Sequence, residues 1–165
     1  MLVYATRISV NGFTLDQTIG EFTLSHPEIK CPETGKIYSV NHGNFWQYDE
    51  AIRKYINVCQ KKEKKDGGPY IQRYIGSMVA DVHRNLIKGG IFMYPATTDK
   101  PKGKLRLLYE CNPLAYIVEK AGGKATNGKQ RILDIKPAEL HQRSSLFIGS
   151  MKMMQELESY TNNVD

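Results

Sequence analysis

Residues 104–123 read Lys-Leu-Arg-Leu-Leu-Tyr-Glu-Cys-Asn-Pro-Leu-Ala-Tyr-Ile-Val-Glu-Lys-Ala-Gly-Gly. The front half alternates, with Lys104 and Arg106 on one side and Leu105 and Leu107 on the other, which is the period of a half-buried strand. The back half carries helix punctuation. Asn112 stands where it can cap free amides, and Pro113 sits at the first helical position, where it has no hydrogen bond to lose. Gly122 can take the left-handed conformation that ends a helix. A strand running into a helix, with Glu110 at the junction, points to an α/β fold. Ligands of such folds bind at the carboxyl ends of strands, beside helix N-termini. Lys104 and Arg106 lead towards that place and favour an anion there. One carboxylate beside basic groups suits a divalent cation held between protein and phosphate. The plainer reading is a buried strand with a solvated basic edge and Glu110 in an ordinary ion pair.

The 165 residues suit one domain with a sizeable core, and 41% hydrophobic with 24% charged residues is an ordinary globular composition. No apolar run is long enough to span a bilayer, so no membrane partner is expected. Cys31, Cys59 and Cys111 lack CxxC or His spacing. A sparse, odd set reads as reduced thiols in the cytoplasm, not as a disulfide framework or zinc site. The net charge of +6 favours anionic partners, either nucleic acid or small phosphates. The chain opens at once on the strand-like run Leu2-Val3-Tyr4-Ala5-Thr6, as a piece of something longer would.

Residues 1–15 read as a hairpin turning at Asn11-Gly12, because both central residues tolerate positive φ. Glu21–Leu24 reads as a third strand, His26–Gly35 as a loop and Lys36–Asn41 as another strand ending in a turn at Asn41-His42-Gly43-Asn44. Asp49–Lys61 is expected to be helical, with Ile52, Tyr55, Ile56 and Cys59 on one face. The run Lys61–Lys65, followed by Asp66-Gly67-Gly68-Pro69, reads as a frayed helix end and solvated loop. No aromatic side chains interleave its charges, as a single-strand nucleic-acid binder would want. No nucleic-acid partner is therefore expected. Met78–Lys88 reads as a helix capped by Ser77 and closed by Gly89-Gly90, and Ile91–Tyr94 as a short buried strand ending at Pro95. Thr97–Gly103 is a polar loop. Ile132–Ile135 and Leu146–Ile148 read as two further strands. Ser150 reads as the cap of a last helix, with Met154, Leu157 and Thr161 on one face and a frayed tail over 162–165.

No Gly-x-Ser-x-Gly elbow, Cys–His spacing, Walker loop or GxGxxG occurs. His42, His83 and His141 read as loop or helix-surface histidines. What recurs at the predicted junctions is a set of phosphate-compatible donors, Asn41, Arg73, Tyr74, Tyr94, Lys104 and Arg106.

Gly103–Pro113, with Arg73–Arg84, Gly89–Pro95, the stretch to Gly123 and Leu140-His141-Gln142-Arg143, resembles the C-terminal half of the class I fructose-1,6-bisphosphatases. His42 and Asn44 stand where many animal members carry Glu and Tyr, which fits a bacterial-type sequence. The resemblance implies a central mixed β-sheet flanked by helices. It also implies the Mg-dependent hydrolysis of fructose 1,6-bisphosphate to fructose 6-phosphate in gluconeogenesis. Asn41, Tyr74, Tyr94 and Lys104 would bind the 6-phosphate, with Arg73 reaching the site of a neighbouring subunit in a homo-oligomer. The amide of Met78 would meet a sugar hydroxyl, Arg106 would lie near the 1-phosphate, and Glu110 would ligate the metal. The family's acidic run Asp-Pro-Leu-Asp-Gly-Ser and its N-terminal metal- and AMP-binding domain have no counterpart here, so the single domain 1–165 is expected to bind sugar phosphate without complete catalytic residues. The competing readings are another sugar or inositol phosphatase of the superfamily, and a non-catalytic sugar-phosphate-binding or regulatory module from a truncated reading frame.

Overall fold

The computed structural model describes residues 1–61, 63 and 68–161. Its strands are β1 (Leu2–Ala5), β2 (Val10–Asp16), β3 (Glu21–His26), β4 (Ile37–Ser39), β5 (Ile71–Gln72), β6 (Ile91–Tyr94), β7 (Leu105–Arg106), β8 (Lys124–Thr126), β9 (Arg143–Ser144) and β10 (Leu146–Gly149). Its α-helices are α1 (Glu50–Lys61), α2 (Met78–Lys88), α3 (Asn112–Lys120) and α4 (Met151–Thr161).

The central sheet has the order β5-β4-β6-β10-β8, with β4 parallel to both β5 and β6, and β10 antiparallel to β6 and β8. It is therefore mixed, as expected. Alternation along β6 and β10 builds two cores. Phe92, Leu146 and Ile148 face one side, where they meet Val82 and Leu86 of α2 and Ala115 and Val118 of α3. Ile91, Met93 and Phe147 face the other, against Ile52, Tyr55 and Ile56 of α1 and Met153, Met154 and Leu157 of α4. Each fully buried aliphatic or aromatic side chain contributes about 1.5–3 kcal/mol, so the helices are held by their apolar stripes more than by propensity. The small sheet β1-β2-β3 packs Val10 of β2 into the first core, while Leu15, Phe22 and Leu24 stay exposed on its other face.

Helix α1 begins where Asp49 Oδ1 accepts from the Ile52 amide at 2.9 Å, an N-cap bond. Cys31, Cys59 and Cys111 are buried and joined in no disulfide. No helix among the described residues is long and apolar enough to cross a membrane.

Five local expectations are corrected. The first hairpin turns at Thr6–Ser9, not at Asn11-Gly12, which lies inside β2 opposite Tyr4 and Val3. The Thr6 hydroxyl accepts from the amides of Ile8 and Ser9, both at 3.1 Å, and closes the turn earlier. Ile132–Asp134 is a 3₁₀ turn, not a strand; four residues are too few to distinguish the two periods. The strand before Glu110 shrinks to β7, which pairs with β9 outside the central sheet. The chain enters its helix at Leu107, through a π turn over Leu107–Cys111, so Asn112 lies inside the helical run with its Oδ1 unpartnered. Finally, neither serine caps through its side chain. Ser77 makes no cap bond, and the Ser150 hydroxyl instead accepts from the Gly90 amide at 3.0 Å, across the sheet.

In the basic run and the loop after it, Lys62, Lys64, Lys65, Asp66 and Gly67 lie outside the described residues, as does the tail 162–165.

Gly103 marks the entry to β7. Its φ is +80°, and a Cβ there would sit 2.5 Å from the Ser144 carbonyl oxygen. Gly103→Ala is therefore expected to cost about 2 kcal/mol or more, through strain and clash together. Urea unfolding measures this, and an unchanged midpoint would remove the argument.

Candidate functional site

Because β4, β5 and β6 run parallel, their carboxyl ends share one side of the sheet. Asn41 follows β4 by two residues, Arg73 and Tyr74 directly follow β5, and Tyr94 ends β6. Between the ends of β4 and β6 lies a cleft of about 190 Å³ whose lining includes Asn41, Asn44, Tyr48, Tyr94, Thr97, Lys100 and Lys104. Three of the residues singled out from sequence, Asn41, Tyr94 and Lys104, thus meet in one place.

Local hydrogen bonds decide what the cleft presents. Asn41 caps the 3₁₀ turn His42–Gln47, its side-chain oxygen accepting from the Gly43 amide at 3.0 Å. Its main-chain carbonyl accepts from the Tyr48 hydroxyl at 2.8 Å. Both Asn41 oxygens are engaged, so its side-chain NH2 is left as a pair of donors. Burial first, then the neighbouring Tyr74 and Tyr94, push Tyr48 up to about 12, while a hydrogen bond from the Asn44 side chain pulls the other way. Tyr74 is also raised, by burial and then by Tyr94 and Asp81. At neutral pH Tyr48 and Tyr74 are uncharged phenols; the Tyr48 proton is already given to the Asn41 carbonyl, so Tyr48 holds that turn in place while Tyr74 keeps its proton to donate. Lys104 has no carboxylate partner among the described residues, whereas Lys100 stands 3.4 Å from Asp99. The Arg143 guanidinium donates to the Lys104 carbonyl and steadies its backbone. A cationic amine beside neutral N–H and O–H donors is a phosphate-binding chemistry, and the one carboxylate in the lining, Asp99, is engaged by Lys100 and by the Thr97 hydroxyl.

The other residues singled out from sequence lie elsewhere. Tyr74 is half-buried near the cleft, close enough for its phenolic oxygen to affect Tyr48, but it is not part of the lining. Arg73 is exposed, and Met78 opens α2; neither lines the cleft. Glu110 and Arg106 also lie apart from it. In the π turn, Glu110 Oε2 accepts from the Arg106 amide at 2.6 Å, and Oε1 stands 3.3 Å from Arg106 Nη1. This is the ordinary ion pair of the plainer reading. Among the described residues no group of three or more His, Cys, Asp or Glu is placed to hold a metal ion, so Glu110 offers a single ligand and the residues present do not fit a complete metal site.

Sequence reasoning missed Tyr48, Lys100 and Thr97. Their approach to the cleft is tertiary, and the three aromatic residues between the Asn41 turn and the Asp49 cap, Phe45, Trp46 and Tyr48, do not show by spacing which of them faces it. His42 and His141 make structural contacts. The His42 ring stands edge-on to Tyr38, and His141 Nδ1 lies 2.9 Å from the Tyr109 hydroxyl.

Residues 31–162 match the family described as fructose-1-6-bisphosphatase, C-terminal domain. The class 1 fructose-1,6-bisphosphatase of Cytophaga hutchinsonii is 60% identical over 97% of this chain and 46% of its own length. That of Chloroherpeton thalassium is 58% identical over 100% of this chain and 48% of its own. The crystal structure of Leishmania major fructose-1,6-bisphosphatase in apo form superposes with a TM-score of 0.94 at 43% identity, covering 98% of this chain and 51% of that one. This chain spans about half the length of the curated relatives it matches. It belongs to the class 1 fructose-1,6-bisphosphatase family and matches the C-terminal half of its members.

Proposed function

We propose that this chain is the sugar-phosphate-binding part of a fructose-1,6-bisphosphatase, the hydrolase that converts fructose 1,6-bisphosphate to fructose 6-phosphate and phosphate in gluconeogenesis. The observation that carries this reading is the meeting of Asn41, Tyr94 and Lys104, with Tyr48 behind them, in one donor-rich cleft at the ends of parallel strands. Lys104 supplies the charge that the 6-phosphate requires. Asn41, Tyr94 and the adjoining Tyr74 supply oriented donors, and the Met78 amide takes a sugar hydroxyl. Arg73, exposed at the end of β5, reaches the phosphate bound by a neighbouring copy, which makes the working form a homo-oligomer. The reduced, buried cysteines accord with a cytoplasmic protein.

Hydrolysis of the 1-phosphate requires water to be activated and the leaving oxygen stabilised. Such reactions commonly use two divalent cations held by several carboxylates. Glu110 would give one oxygen to such an ion, Mg²⁺ in this reading, with Arg106 alongside near the 1-phosphate. The described residues bring no further ligands to it, so this chain contributes binding and orientation and does not turn over by itself.

Calorimetric titration with fructose 6-phosphate tests the pocket. Binding is expected with or without Mg²⁺, and Lys104→Ala is expected to weaken it by about tenfold or more, the worth of a charge-assisted hydrogen bond. Absence of binding, or binding indifferent to Lys104→Ala, would overturn the assignment. In a phosphate-release assay with fructose 1,6-bisphosphate and Mg²⁺, the chain alone is expected to be nearly silent; turnover within about a hundredfold of a full-length relative contradicts this division of labour.

Tyr48 gives a pH test. Its pKa is raised in the fold, so the folded state holds the neutral phenol more strongly than the unfolded state does. The stability it contributes is complete below about pH 10, the ordinary tyrosine value, and is lost as the pH rises towards 12. In phenolate absorbance, the difference between the parent chain and Tyr48→Phe is expected to appear only near pH 12; a difference near pH 10 would mean that the hydroxyl is solvated.

A further inference from the structure

The side chain of Asp81 is fully buried in the first turn of α2, yet it does not cap that helix. Its carboxylate reaches back, outside the helix, to accept from the Ile75 amide at 3.0 Å and the Gly76 amide at 3.3 Å. Arg84, one turn on, stands 2.8 Å from Asp81 Oδ1. The same Arg84 Nη2 donates to the Ser39 hydroxyl at 2.8 Å and to the Arg73 carbonyl at 3.1 Å. Ser39 is also fully buried and takes a second bond from Asn85 Nδ2 at 3.1 Å. Ser39 ends β4 two residues before Asn41, and Arg73 and Tyr74 form the segment that Asp81 holds from the other end. One ion pair therefore links the β4 end that leads into the proposed phosphate pocket to the Arg73–Tyr74 segment beside it.

Buried ion pairs are poor stabilisers, because desolvation offsets much of their attraction, and a well-packed apolar pair is often as good. This one also leaves Arg84 Nε without a hydrogen-bond partner. What it supplies is direction. A carboxylate facing two successive amides fixes where residues 75 and 76 lie, and a planar guanidinium ties two separate chain segments at a set spacing.

We infer that Asp81 and Arg84 are positioning residues that hold the Arg73–Tyr74 segment against the Asn41 end of β4, setting the spacing of the phosphate donors. The inference rests on the sugar-phosphate reading of the cleft, and the test separates the two.

Asp81→Asn and Arg84→Lys are compared with the parent chain in two measurements. The first is amide hydrogen exchange without ligand, at residues 74–78 and at the core strand Ile91–Tyr94. The second is the affinity for fructose 6-phosphate. Asp81→Asn turns an N–H group towards donors, and Arg84→Lys cannot tie Ser39, Arg73 and Asp81 together. Exchange at Ile75 and Gly76 is expected to quicken by about tenfold in Asp81→Asn, with Ile91–Tyr94 unchanged, and affinity to fall by about tenfold. Arg84→Lys is expected to move both in the same direction by a smaller factor, and it keeps the test decisive if Asp81→Asn does not fold. Uniform loss of protection across core and segment would show a merely structural role and overturn the inference. So would a loosened segment with undiminished affinity. Failure of the parent chain to bind, with exchange changing only at the segment, would overturn the sugar-phosphate reading while upholding the role of Asp81 in holding the segment.

Discussion

Strands β6 and β10 have no face left for water. Ile91 and Met93 point into one core, Phe92 into the other, and Leu146, Phe147 and Ile148 alternate in the same way. Two adjacent strands with that composition must be covered on both sides, and the coverage dictates the rest. α1 and α4 supply one apolar layer, and α2 and α3 supply the other. With both faces of the sheet occupied, polar side chains collect where the strands end. Asn41, Tyr74 and Tyr94 therefore lie at carboxyl ends, where the rings of Tyr74 and Tyr94 still pack against the margin of the first core.

What the cleft can present to a ligand follows from hydrogen-bond accounting as well as from charge. An asparagine can accept as readily as it donates, and a tyrosine likewise. Here Gly43 and Tyr48 engage both oxygens of Asn41, and the neutral state of Tyr48 is enforced by its burial. The Asn41 amide, the Tyr94 hydroxyl and the Lys104 amine remain as donors in the lining, a set that would suit an anion with several oxygens. Lys104 adds charge to a geometry already prepared. The chain's net charge of +6 is a poor guide to this, since it is spread over many loops and says nothing about where acceptors have been silenced.

Much of the fold was legible in the sequence because several elements carry their own punctuation. The α2 segment between Ser77 and Gly89-Gly90, and the apolar run Ile91–Tyr94, appear with the expected limits. α1 differs by one residue at its start. β5, β8 and β9, of two or three residues, leave no measurable period and are defined by their partners alone. The π turn was illegible for a different reason: a single wider turn has no compositional mark, and Asn112-Pro113 is an equally good helix start. In the candidate site, Asn41, Tyr94 and Lys104, which line the cleft, were legible as candidates because each sits beside a recognisable junction and matches the family's motif. Tyr48 and Lys100 were not, because a side chain folded back onto the cleft from a neighbouring loop leaves no trace in spacing. In the sequence Asp81 is simply one more residue of the Met78–Lys88 helix, and only its bonds to Ile75 and Gly76 distinguish it.

The three buried cysteines have a consequence for the chemistry of the folded chain. Burial raises the Cys31 thiol, and burial with the Glu110 charge nearby pushes Cys111 up to about 12, so thiolate is scarce at both near neutral pH. Since the thiolate is the reactive species, oxidants and alkylating reagents meet an inert surface while the chain is folded. Each opening of either core uncovers a cysteine, Cys111 with α3 and Cys59 with α1. Thiol labelling of this protein thus reads out the frequency of its structural openings, layer by layer, without any probe having to be introduced.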